Sequence, residues 1–65
     1  MQVDLECKCT ATGEWLLIAR FGIEAHAGIA ARSLSVLTGS DHRTIDRRWP
    51  DAGDIVTSYG KDFPA

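Results

Sequence analysis

The sequence predicts an α+β domain in the order β-β-α-α-β: an N-terminal β-hairpin, two helices packed on it and a C-terminal strand. Three observations carry that prediction. Apolar residues alternate with polar ones near the N-terminus, a stripe spaced by threes and fours runs from Ile23 to Leu37, and a β-branched and aromatic run follows at residues 55–59.

Val3, Leu5, Cys7, Cys9 and Ala11 alternate with Asp4, Glu6, Lys8 and Thr10, the period of a strand with one buried face. Thr12 and Gly13 supply a turn, and Trp15 to Phe21 reads as a second strand, too short to prefer a helix. Gly22 breaks it. Ile23, Ala27, Ala30, Leu34 and Leu37 then mark one face of an amphipathic helix, with Glu24 near its positive end. Gly39 suits the left-handed position that ends such a helix, and Ser40 suits the cap of a second helix starting at Asp41. On that short helix His42, Ile45 and Trp49 share a face, and Pro50 stops it. After a loop from Pro50 to Gly53, Ile55 to Tyr59 is the third strand, expected to add to the hairpin. The tail from Gly60 to Ala65 is expected to fray, with Phe63 able to pin it. Residues 1–65 read as a single domain.

Length and composition bound the function. A domain of 65 residues buries only about 60% of its unfolded surface, so it has room for one core and little else. A catalytic pocket would compete with that core for the same side chains, which argues against an enzyme. Hydrophobic residues at 45% and charged residues at 25% are the balance of a folded chain rather than a disordered tail. No apolar stretch is long enough to span a membrane and no secretory signal is recognisable. Cys7 and Cys9 make no disulfide framework, so a reducing cytoplasm is expected.

The net charge of −2 is unevenly spread. Residues 1–14 and 49–65 are each acidic in balance, whereas residues 15–48 are basic through Arg20, Arg32, Arg43, Arg47 and Arg48. The functional reading of the acidic ends is a face built from Asp4, Glu6, Asp51, Asp54 and Asp62 that occupies a cationic nucleic-acid channel by charge complementarity. The alternative is a solvated surface that keeps a small protein soluble.

Residues 33–48, Ser-Leu-Ser-Val-Leu-Thr-Gly-Ser-Asp-His-Arg-Thr-Ile-Asp-Arg-Arg, resemble the helix-turn-helix of small phage and mobile-element DNA-binding proteins, through the glycine turn, the Thr44-Ile45 pair and the trailing arginines. The resemblance implies that the second helix enters the major groove and that His42, Arg43, Asp46 and Arg47 approach bases or phosphates. The plain alternative is a helical corner with solvated arginines. Cys7 and Cys9 with His26 and His42 offer four zinc-type ligands, but their spacing matches no standard finger, and no metal or cofactor is expected. Ser33 or Ser35 with His26 or His42 lacks any nucleophile motif.

In size and character the chain is similar to the small accessory proteins of phages and mobile elements, anti-CRISPR proteins in particular. That resemblance implies a non-catalytic inhibitor that binds a host nucleic-acid-handling complex and blocks its access to DNA. The alternative is a helix-turn-helix transcriptional regulator that binds DNA directly.

Overall fold

The computed structural model describes residues 3–60. Its elements are β1 (Val3–Lys8), β2 (Trp15–Phe21), α1 (Glu24–Thr38), β3 (His42–Asp46) and β4 (Ile55–Tyr59). The four strands form one antiparallel sheet in the order β2-β1-β3-β4, so the fold is α+β, with one helix among the described residues.

The hairpin forms as its alternation dictates, with one shortening. β1 stops at Lys8 and does not run to Ala11. Cys9 to Gly13 close the turn instead, through backbone hydrogen bonds from Cys9 N to Glu14 O and from Gly13 N to Cys9 O, both 2.7 Å. Gly13 sits at φ 77°, a conformation that glycine adopts without a Cβ clash. The register skips a residue between Leu5 and Glu6, whose partners are Ala19 and Leu17; Ile18 is the extra residue of a β-bulge.

The helix begins at Glu24 without a side-chain cap and ends at Gly39, whose φ of 75° and bond to Ser35 O make the left-handed stop that the glycine predicts. Its buried residues are Ala27, Ala31 and Ser35, spaced by four. These small side chains let the helix backbone lie close to the sheet. At Gly28 the approach is closest: a Cβ there would stand 3.0 Å from the Tyr59 hydroxyl.

The second helix does not exist. Residues 42–46 form β3, which pairs with β1 on one side and β4 on the other and so takes a central place in the sheet. A helix from Asp41 to Trp49 would be too short to stand on its own propensity, and His, Thr, Ile and Asp are mediocre helix formers. As a strand the same residues satisfy backbone groups on both sides. The face that joins His42, Ile45 and Trp49 dissolves with the helix: His42 and Ile45 point to opposite faces of β3, and Trp49 is exposed in the loop beyond it.

Register fixes the two faces. Val3, Leu5 and Cys7 of β1 share the helix side with His42, Thr44 and Asp46 of β3. Asp4 and Glu6 share the open side with Arg43 and Ile45. The buried apolar set is small: Val3, Leu5, Ala27, Ala31 and Ile45. An α-helix about 10 Å across covers roughly two strands spaced about 4.8 Å apart, so one helix cannot roof four. The uncovered flanks explain why Leu16, Ile18 and Ile55 remain exposed.

Candidate functional site

The open face of the sheet carries an ordered array of charge. Asp4 accepts hydrogen bonds from Arg20 Nε, at 3.2 Å, and from Arg47 Nη1. Arg47 reaches on to Asp54 at 3.5 Å. Arg43 donates to Glu6 at 2.8 Å, and its guanidinium lies 4.3 Å from the centroid of the Trp15 ring. Lys8 flanks the same ring at 6.0 Å.

The layering of this array matters more than its composition. The side chain of Asp4 is 8% exposed and that of Glu6 13%, whereas Arg20 and Arg47 are 59% and 43% exposed. The Asp4 and Glu6 carboxylates therefore lie beneath the arginines that hold them, whereas Asp54 lies at the exposed rim. The strand alternation places Asp4 and Glu6 together on one face, as the sequence suggests, but they are held in intramolecular ion pairs. Asp51 and Asp54 are exposed in the loop between β3 and β4. Asp62, the fifth residue of the acidic set, and Phe63 with the rest of the tail at 61–65 lie outside the described residues. The arginine cover is invisible to a reading of charge along the chain, because Arg20 comes from β2, Arg43 and Arg47 come from β3 and the residue after it, and the carboxylates they cover are in β1.

The four residues assigned to a DNA-reading helix also separate. Arg43 and Arg47 belong to the open-face array, while His42 and Asp46 point to the helix side. A recognition helix cannot be built from residues 42–46, since β-pairing alternates their side chains between two faces.

On the helix side, Ser35 and His42 meet at 3.0 Å between Oγ and Nδ1. The pair invites a catalytic reading that its partners answer. Ser35 donates its hydroxyl proton to the Tyr59 carbonyl at 3.1 Å, and His42 Nδ1 lies 2.9 Å from the Ser40 carbonyl. A carbonyl can only accept, so Nδ1 carries the proton and cannot act as a base toward Ser35. Both side chains are buried away from any substrate. Their bonds tie α1 to β3 and β4, and no buried side-chain nitrogen or oxygen among the described residues is left without a partner.

Asp46, which is buried, and Arg48, which is half-buried, form a second pair. Arg48 gives Asp46 its backbone N–H at 3.0 Å and two guanidinium bonds at 2.9 and 2.7 Å. These bonds hold the Asp46 carboxyl below its ordinary range and raise the Arg48 guanidinium, both through the charged pair. A depressed carboxyl contributes stability above the unfolded value of about 3.9 and loses it as pH falls toward the lower folded value. The stability advantage of the wild type over Asp46→Asn is therefore expected to shrink below about pH 4. Urea midpoints of both proteins between pH 3 and 7 measure it, and a constant difference across that range would refute the pairing.

Cys7 faces His42 across the β1–β3 register, whereas Cys9 sits in the hairpin turn and His26 on the exposed side of α1. Hydrogen bonds from the Thr12 side chain, and then from the Thr12 and Ala11 backbone, lower the Cys9 thiol. Among the described residues no three Cys, His, Asp or Glu side chains converge to hold a metal ion. No described helix is long and apolar enough to cross a membrane. Comparison with protein-family models, with curated proteins and with solved structures gives no match.

Proposed function

We propose that this chain is a non-catalytic inhibitor of the anti-CRISPR-like kind, which docks on a host nucleic-acid-handling complex and blocks its access to DNA. The observation that carries the docking part is the run Leu16-Leu17-Ile18 on the edge strand β2, exposed by 52%, 46% and 48%. Three consecutive apolar residues left in water on a sheet edge are a liability unless something covers them. Alternation and the bulge spread these side chains over both faces, which suits burial in a protein cleft. Asp51 and Asp54 supply the outward negative charge that steers such an inhibitor toward a basic channel. Asp4 and Glu6 act one step back, by holding the arginines of the open face.

The test is a pull-down with the tagged chain from a host lysate, followed by affinity measurement on the captured complex. Leu17→Lys is expected to weaken binding about tenfold or more, equivalent to about 1.4 kcal/mol, with the fold unchanged by circular dichroism. Charge reversal of Asp51 and Asp54 should act mainly on the association rate and fade at high salt. Unaltered affinity in both variants would reject the docking surface and the steering together.

A second reading, direct nucleic-acid binding, is favoured by one observation: Arg43 stacked on Trp15 with Lys8 beside it, on a face whose guanidinium groups point outward. The reader would be a sheet, not a helix, and its natural ligand a single strand whose bases stack on an aromatic. A salt-sensitive gel shift that Arg43→Ala and Arg47→Ala abolish would favour this reading over the inhibitor.

A further inference from the structure

The sheet has two edge strands, and they are guarded differently. β2 carries a bulge at Ile18, which interrupts its ladder, and a charged residue, Arg20. Bulges and charges are devices that prevent one sheet edge from pairing with another. β4 has neither. Its sequence Ile-Val-Thr-Ser-Tyr contains no charge, proline or glycine, and its register with β3 runs unbroken from Asp46–Ile55 to His42–Tyr59. Ile55 and Val56 are both exposed on it. No further strand lies beside β4 among the described residues.

We propose that two copies of this chain associate through β4, paired antiparallel about a two-fold axis at Thr57 and extending the sheet to eight strands. The occupant is a second copy because β4 is complementary to itself. In that register Thr57 faces its own symmetry mate, Val56 faces Ser58 and Ile55 faces Tyr59. Every opposed pair then lies on the same side of the sheet, as antiparallel pairing requires. Thr–Thr and aromatic–β-branched pairs are favourable across antiparallel strands. No like charges meet, since β4 has none. The symmetry is closed, so pairing stops at the dimer.

Area sets the strength. Five strand residues span about 17 Å, and the shortest dimension of the molecule is 18 Å. The footprint is therefore roughly 300 Å², against about 800 Å² per partner in a standard stable interface. The dimer is correspondingly weak and exchanges rapidly. This inference stands apart from the docking at β2, which uses the opposite edge.

Sedimentation velocity of the full chain from about 10 μM to about 1 mM tests it, with reversible association expected within that range. Val56→Lys places a charge on the exposed edge and should remain monomeric throughout, with an unchanged circular dichroism spectrum. Leu17→Lys, on the other edge, should dimerise as wild type does. Hydrogen exchange at Val56 to Ser58 should slow as wild-type concentration rises. A wild type that stays monomeric to about 1 mM overturns the proposal. So does a dimer that Leu17→Lys abolishes and Val56→Lys spares, or growth beyond the dimer, which would mean head-to-tail pairing of β2 on β4.

Discussion

Leu5→Ala is expected to leave much of the protein unfolded at 25 °C. Leu5 is the largest of the fully buried side chains, and it lies at the centre of β1 between β2 and β3. Truncating a buried leucine to alanine costs about 2–5 kcal/mol, from lost transfer energy and from the cavity left behind. A 65-residue domain has a total stability of roughly 3–10 kcal/mol at ordinary values per residue. With five apolar residues buried among the described residues, few neighbours can move in to fill the gap. Urea titration followed by far-ultraviolet circular dichroism measures the effect, with Leu17→Ala on the exposed edge as the control. Equal midpoints for the two variants would mean that the core is not where the sheet places it.

Ala31→Leu is expected to cost about 1–3 kcal/mol through overpacking, and to do so at the seam between helix and sheet. Ala31 is fully buried on the line Ala27, Ala31, Ser35 that faces the strands. Three added carbons there have no free volume and must push α1 outward. The displacement would strain the bonds from Ser35 to the Tyr59 carbonyl and to His42, which depend on that close approach. Ala30→Leu is the comparison. Ala30 is only half-buried, so part of a larger side chain there can extend into solvent. Thermal melts should separate the two variants by several degrees, with Ala31→Leu the lower, since about 1 kcal/mol corresponds to about 4–8 °C in a domain of this size. Indistinguishable melting temperatures would show that the helix does not rest on the small-residue line.

The part of the fold that follows from local pattern is legible in the sequence. The hairpin strands, the helix between Ile23 and Gly39, and the final strand each carry their own period or their own terminator. In β1 the sheet buries Val3 and Leu5, on the face that the period marks. The exception within the helix is instructive. The stripe Ile23, Ala27, Ala30, Leu34, Leu37 captures Ala27 but misses Ala31 and Ser35, because volume, not hydrophobicity, decides which residues a close-packed helix turns toward a sheet.

Residues 41–49 were decided by tertiary structure alone. Taken locally, a glycine stop, a serine cap and apolar residues at helical spacing favour a second helix. Non-locally, β1 has a free edge on the side away from β2, and residues 42–46 can satisfy it with five consecutive pairs while offering their own far edge to β4. Backbone bonds gained on two sides outweigh a short helix that would leave most of its terminal groups unpaired. The same pairing settles the candidate site. Charge along the chain locates the acids at the ends and the arginines in the middle, but only the register brings Arg43 over Glu6 and Arg20 and Arg47 over Asp4. The sequence by itself determined the fold class, the hairpin, the first helix and the residues rich in charge. The tertiary structure decided which charges lie on top, because that depends on which strand becomes the neighbour of β1, a contact between residues about forty positions apart.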